Sequence, residues 1–514
     1  MKNFYKSIYD LIVKASTDLP NDVRDALEYA KQIEYEGTRS LKALESITLN
    51  NQMSVKNESP MCQDTGMPNF KIYTPIGVNQ VKMQRDIEKA LSDATKNSKL
   101  RPNAVCPLTG KNSGNNLGDR LPRITFHQWE EDYIDVKFML KGGGSENKSI
   151  QYTLPDDLPG IGKAGRDLDG VRKCILHSIY QAQGQGCSPG FLGVGIGGDR
   201  TGSYETAKEQ FWRFVDDENK NPILNNLEKY IMDKAQKFGI GTLGFGGQIS
   251  LLSCKIGTMY RLPASFFVSV IYMCWAFRRL GVKIDPVTGD ITEWTYERPS
   301  KIKEKLQSTI PVVDNLSDNS IINLTTPISE EQVRKLKVGD IVSISGKIYT
   351  GRDAVHKYLY DKTDNESPVD FTDGVIYHCG PVLTKESEKY IVKAAGPTTS
   401  IREEPYQADI MKRYGIRVVI GKGGMGKKTS ECLKEYGGVY LNAIGGAAQY
   451  YAQSIKSVDG VDLLEELGAP EAIWHLNVED FRAVVTMDAH GESLHDDIEK
   501  SSFEVLESMS SKVF

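Results

Sequence analysis

A chain of 514 residues is longer than one ordinary hydrophobic core organises, so two or more domains are the default. With 39% hydrophobic and 25% charged residues it has the balance of a globular protein, which excludes a disordered one. The net charge of −5 argues against a general nucleic-acid or polyanion binder, while a local basic pocket still suffices for a small anion.

The first segment, MKNFYKSIYDLIVKASTDLP, has no secretory apolar region and reads as an amphipathic helix ending near Pro20. Helical stretches then alternate with glycine-rich loops and strand-like runs such as YIDVKFML at 133–140. The most apolar run, ASFFVSVIYMCWAF at 264–277, is bracketed by Arg261 and Arg278. It falls short of the roughly 20 residues of a membrane span, and so predicts a buried core helix in a soluble chain. ITEWTYERPSKIKEKLQSTI, at 291–310, is charged and free of glycine, as a connector between domains would be.

Beyond it, IINLTT predicts a strand, and a helix opens at Ser329 with Glu331 close behind. A hairpin-like pair is expected around Gly339-Asp340 and Gly346. IRVVI (416–420), GGVYLNAI (437–444) and RAVVTMDA (482–489) read as strands separated by helices. The sum is an α/β chain of two mixed domains: a larger one at 1–290, a linker at 291–311 and a smaller one at 312–514.

The eight cysteines, at 62, 106, 174, 187, 254, 274, 379 and 432, are dispersed and form no CxxC pair. That argues for reduced thiols in a cytosol or organelle matrix and against a disulfide framework. Taken singly, each reads as an inert buried thiol.

Six polar, glycine-rich loops have no use in a core. CQDTG (62–66) sets a thiol, an amide and a carboxylate before a turn glycine. KGGGSENKS (141–149) follows a strand, and its glycines let backbone N–H groups approach an anion or a cluster. GQGCSPGFLGVGIGGDRTG (184–202) sets a cysteine between glycines. GRDAVH (351–356), AAGPTTSIR (394–402) and IGKGGMG (420–426) supply Arg352, His356, Thr398, Thr399, Arg402 and Lys422. Two guanidinium forks and an ammonium suit a ligand with two carboxylates. Gly421, Gly423 and Gly426 also satisfy GxGxxG, but no acidic residue stands in the ribose-binding position (Glu435 comes too early), so a nicotinamide site is not supported.

In this order the loops resemble the class I (iron–sulfur, oxygen-sensitive) fumarate hydratase family, which includes tartrate dehydratases. Residues 1 to about 290 look like its α part, with CQDTG, GGGSENKS, GCSPGFLGVGIGG and GTLGFGGQIS. The rest looks like its β part, with SGKIYTGRDAVH, IYHCGP, AAGPTTS, IGKGGM, LNAIGGAA and PEAIWHLNVEDF, fused here in one chain. The resemblance implies a [4Fe–4S] cluster on Cys62, Cys187 and Cys274, with one iron open as a Lewis acid. It implies reversible hydration of fumarate to (S)-malate, with a related C4 hydroxy acid such as tartrate, or a non-catalytic cluster-based sensor, as the alternatives.

Substrate binding then falls on Gln63, Asp64, Arg101, Gly143, Gly144, Arg352, Thr399, Arg402 and Lys422, and proton transfer on Thr398 and Asp64. The site is expected between the two parts, in a cytoplasmic homodimer whose partner is a small dicarboxylate, with no nucleic acid or membrane. One departure stands out. The family carries a substrate-reaching histidine before the third cysteine, and in RLPAS that place belongs to Leu262, with Phe266 and Phe267 beside it. His356 and His378 are the substitutes at hand, a structural role being the other reading of each.

Overall fold

Phe4, Ile8, Leu11, Ile12 and Ala15 recur at helical spacing on one face of Phe4–Thr17, and all are buried. The chain turns extended at Asp18, just ahead of Pro20. In the computed structural model, which describes residues 1–302, 321–362 and 366–514, this helix lies with Gln80–Lys96 on a five-stranded sheet.

The order of that sheet is Ile291–Trp294, Arg278–Ile284, Ile134–Lys141, Met67–Pro75 and Arg123–Trp129. Only the last pair is parallel. The stretch expected as linker from 291 therefore begins as an edge strand, because Ile291 and Trp294 find apolar neighbours in Ile284 and Val282 and in the core below. The remainder of that expectation, from 303 to 311, lies outside the described residues.

A second sheet holds Ile150–Thr153, Phe267–Met273, Gly190–Gly197 and Leu251–Met259, in that order. Here the apolar run at 264–277 departs from the helix expected of it. Its centre, Phe267–Met273, is a strand buried almost throughout. Val268, Val270 and Ile271 are β-branched, and a strand covered on both faces reads as a continuous apolar run rather than an alternating one. Glycines make the next layer close: a Cβ at Gly193 or Gly195 would strike the Ala207 or Ser203 carbonyl of the helix Arg200–Glu209.

The other half is built on a seven-stranded sheet, ordered Ile321–Thr325, Ile341–Thr350, Gly374–Tyr377, Ile416–Gly421, Val439–Asn442, Ile473–Met487 and Ile455–Asp462. Ile341–Thr350 also pairs with Ile473–Met487, so the sheet closes on itself. The helix at Ser329 is one short turn, Glu330–Val333, with Ser329 and Gln332 forming a capping box. The hairpin expected around Gly339 and Gly346 is instead one ten-residue strand, Ile341–Thr350. Gly339 precedes it, and Gly346, at φ +108°, marks a break in register against Ile473–Met487. A glycine takes that bulge conformation without strain.

Two geometrical facts place the functional loops. Ile341–Thr350, Gly374–Tyr377, Ile416–Gly421 and Val439–Asn442 run parallel, so their carboxyl ends deliver Arg352, His378, Lys422 and Ala443 to one edge. Ligands bind outside such carboxyl ends. In the first half, Cys187 precedes Gly190–Gly197 and Cys274 follows the antiparallel Phe267–Met273, which puts both at one end of their sheet. Cys62 before Met67–Pro75, Gly143 after Ile134–Lys141 and Arg278 at the start of its strand share an end likewise. No helix of the described residues is long and apolar enough to cross a membrane.

Candidate active site

Cys62 and Cys187 are buried, Cys274 is half-buried, and all three are free thiols in one apolar cluster with Met61, Phe191 and Trp275. The Trp275 N–H donates to the Cys187 carbonyl at 3.2 Å, which ties the second cysteine to the residue after the third. Burial pushes each of the three thiols up, and nearby cations partly offset it: Arg278 at Cys62 and Cys274, Lys422 at Cys187. Across from them stands Gly445, where a Cβ would sit 2.7 Å from the Cys187 Sγ and 2.8 Å from the Lys422 Cδ. The space beside the thiols is thus kept by the absence of a side chain.

Lys422, Arg101, Arg278, Arg352 and Arg402 surround this pocket. The Lys422 Nζ donates to the Cys187 Sγ at 2.9 Å; burial works against its charge, but Cys187 and Cys62 prevail and keep it protonated. Asp64 is half-buried against the glycine loop, its Oδ2 accepting the Gly144 N–H at 3.3 Å. Burial opposes its ionisation too, yet Arg101, at 4.0 Å, and then Arg278 hold its carboxyl at about 2. Asp64 is therefore a fixed carboxylate. Burial and the like charge of Arg352 lower Arg101 to about 10, which still leaves it a cation at neutral pH.

The second half closes on this arrangement through direct bonds. The Gln63 Nε2 donates to the Pro397 carbonyl at 3.0 Å, and the Arg101 Nη1 to the Gly380 carbonyl at 2.6 Å. A Cβ on Gly144 would lie 3.5 Å from the Thr399 Oγ1 and 3.9 Å from the Lys422 Nζ. Thr399 Oγ1 reaches the Gln185 carbonyl at 3.4 Å. Arg402 donates from Nη2 to the Thr398 Oγ1 at 2.9 Å and to the Asp353 carboxylate at 3.0 Å. Arg352 pairs with Glu471 at 3.0 Å.

Gln63, Asp64, Arg101, Gly143, Gly144, Arg352, Thr398, Thr399, Arg402 and Lys422 thus form one chain of neighbours beside the three cysteines. Arg278 belongs with them and escaped the reading of motifs. Its Nη2 donates to the Asp64 carbonyl at 2.8 Å. Its place in the sequence, at the edge of the apolar run 264–277 and four residues after Cys274, is the signal that could have found it.

Leu262 is elsewhere. It is 73% exposed, in the loop before Phe267–Met273, whereas Cys274 follows that strand. Seven strand residues at about 3.3 Å each separate the two by roughly 20 Å, so nearness in sequence does not put Leu262 beside this chain's own thiols. His356 and His378 are fully buried behind the loops of Arg352 and Thr398.

Strand carboxyl ends, clustered thiols and convergent cations thus come together at one place in the fold. A family model described as fumarate hydratase (Fumerase) matches residues 5–283, and one described as fumarase C-terminus matches 289–498. The chain is 61% identical over 517 residues to the "Putative fumarate hydratase class I" of Geobacillus stearothermophilus, covering the whole of both. It is 29% identical over 471 residues to "Fumarate hydratase class I, aerobic" of Escherichia coli (strain K12), covering 88% of this chain and 82% of that one. It is also 33% identical over 172 residues to "L(+)-tartrate dehydratase subunit beta" of the same organism, covering 33% of this chain and 85% of that one. The chain belongs to the fumarate hydratase (Fumerase) family.

Proposed function

We propose that the protein is a [4Fe–4S]-dependent hydro-lyase that reversibly hydrates fumarate to (S)-malate, its site lying between the two halves of the chain. One observation carries the reading: three free thiols meet a lysine, a fixed carboxylate and two loop arginines contributed by both halves.

The donor set fits the cluster. Among the described residues no trio of His, Cys, Asp and Glu has the spacing to hold a single metal ion. A polynuclear cluster does not ask for that spacing, because each corner iron takes its own thiolate. Cys62, Cys187 and Cys274 would hold it in the space that Gly445 leaves beside the Cys187 sulfur. When bound, the cluster supplies a Lewis-acidic iron to the hydroxyl that is lost or gained.

The chain supplies the rest. Arg352, Arg402 and Lys422 present guanidinium and ammonium donors to the two carboxylates of a C4 acid. Asp64, ionised down to about pH 2, is a poor proton acceptor and serves to orient donors in the pocket. Thr398 is the better candidate for moving the proton at the neighbouring carbon. Its Oγ1 already receives an N–H from the Arg402 guanidinium, which stabilises negative charge on that oxygen.

The test is anaerobic reconstitution with iron and sulfide, followed by an assay of fumarate hydration through loss of its ultraviolet absorbance. A brown, active protein is expected, and Cys62→Ser, Cys187→Ser and Cys274→Ser should each lose the colour while Cys106→Ser, at an exposed thiol, keeps it. A brown protein inert on every C4 acid would favour a sensor, and a colourless active one would overturn the cluster.

A further inference from the structure

Behind the arginine loops lies a buried trio that the reaction does not touch. Gln407, on the helix Glu404–Tyr414, is fully buried with His356 and His378. The His356 Nε2 and the His378 Nε2 each stand 2.9 Å from the amide atom placed as Gln407 Oε1, with the two rings edge to face at 4.9 Å. The other ring nitrogens are engaged as well. His356 Nδ1 lies 2.9 Å from the Arg352 carbonyl, and His378 Nδ1 lies 2.8 Å from the Ser400 Oγ.

The count of hydrogens decides the arrangement. Burial, with the neighbouring His356 acting on His378, lowers both imidazoles and keeps them neutral. A neutral imidazole has one N–H and one bare nitrogen. The Arg352 carbonyl only accepts, so His356 must spend its hydrogen at Nδ1 and offer a bare Nε2 to the amide. An amide oxygen there would set two acceptors against each other, and it leaves the Gln407 Nε2 buried without a partner. The two ends of a glutamine amide have the same shape, so hydrogen-bond logic assigns them. With the nitrogen inward, its two hydrogens meet two bare ring nitrogens.

We propose that Gln407 is a positioning residue for the substrate loops: it gives one amide hydrogen to each histidine and so fixes both rings as Nδ1–H tautomers. The claim rests on the functional reading above only for what those loops do. The His378 carbonyl accepts the Thr398 N–H at 2.7 Å, and the Ser400 N–H donates to the Lys422 carbonyl at 3.1 Å. One amide thereby ties together the three loops that carry Arg352, Thr398 and Lys422, and it acts through the histidines rather than on substrate.

The tautomers are read directly in the reconstituted protein labelled with 15N-histidine, by long-range proton–nitrogen correlation. Of the seven histidines, the two assigned by His356→Asn and His378→Asn should carry hydrogen on Nδ1 and none on Nε2. A hydrogen on Nε2 of either ring overturns the proposal, whatever the protein's activity. Gln407→Glu, nearly the same shape but with at most one hydrogen to give where the amide gives two, supplies the second arm. It should cut kcat/KM for fumarate at least tenfold, mainly through KM, with the cluster absorbance and melting temperature kept. Wild-type kinetics in that variant would refute the positioning role. Should wild type turn over no C4 acid, the functional reading falls, and the tautomers still decide the assignment of Gln407.

Discussion

Lys422 and Cys187 come from opposite halves of the chain, 235 residues apart, and their side chains meet at 2.9 Å. A buried ammonium held against a sulfur is costly to keep unless an anion shares it. On the proposed reading that anion is a substrate carboxylate. Lys422→Met keeps the stem and removes the charge. A hydrogen bond to a charged group contributes about 1.5–3 kcal/mol, so kcat/KM should fall roughly 10- to 100-fold. Iron content and visible absorbance should be kept, since no thiol is lost. An unchanged kcat/KM would release Lys422 from substrate binding.

Thr398 separates proton transfer from binding. General acid–base contributions run to about 10²–10⁴-fold, so Thr398→Ala should lower kcat by about 100-fold or more with KM little changed. Thr398→Ser, which retains the hydroxyl beside Arg402, should recover much of the rate. Intact turnover in the alanine variant, with the cluster verified by its spectrum, would sink the assignment.

Glu403 gives a pH signature independent of turnover. It is fully buried beside Arg402, and burial, then the Asp353 carboxylate, raise its pKa from 4.5 to about 8. The folded state therefore binds the proton more tightly than the unfolded one. The stability that this confers is whole below pH 4.5 and is lost as pH climbs through about 8. Glu403→Gln mimics the protonated acid at every pH. Its melting temperature should match wild type near pH 5 and exceed it progressively towards pH 8.5. Parallel curves across that range would show that Glu403 titrates normally.

Gly445 tests the room beside the thiols. In Gly445→Ala the new methyl would press on the Cys187 Sγ and the Lys422 Cδ. Iron bound per chain after reconstitution should drop well below wild type, while far-ultraviolet circular dichroism is kept. Gly118→Ala, where a methyl meets nothing within 4 Å, is the matched control. Equal iron in both variants would show that the space is not used.

The convergence of these loops was legible in the sequence because polar residues among glycines have no use in a core: CQDTG, KGGGSENKS, AAGPTTSIR and IGKGGMG all lie at sheet ends that meet. What escaped was decided by tertiary packing. The run around Phe267–Met273 is long enough for a helix, and only the strands on either side of it, Ile150–Thr153 and Gly190–Gly197, select a strand. Gly346 looked like a turn, and it bends a strand that continues because Ile473–Met487 pairs along both sides of the bend. Leu262 looked close to Cys274 because twelve residues of sequence hide a strand that carries them to opposite ends. Arg278 was read as a boundary charge, while its fully folded position is under Asp64.

The bonds from Gln63 to Pro397 and from Arg101 to Gly380, with that from the Gln449 N–H to the Asn50 Oδ1 at 2.8 Å, form a seam between the two halves. Because one polypeptide carries both sides, closing this seam is an intramolecular event, governed by a local effective concentration that dilution does not change. Specific activity should then hold constant as the enzyme is diluted, as far as the seam is concerned. A cut introduced between residues 303 and 320 would make the seam answer to mass action, and would convert the whole contact between the halves, the packing of Leu494–Ser508 on the first-half core included, into a measurable dissociation constant.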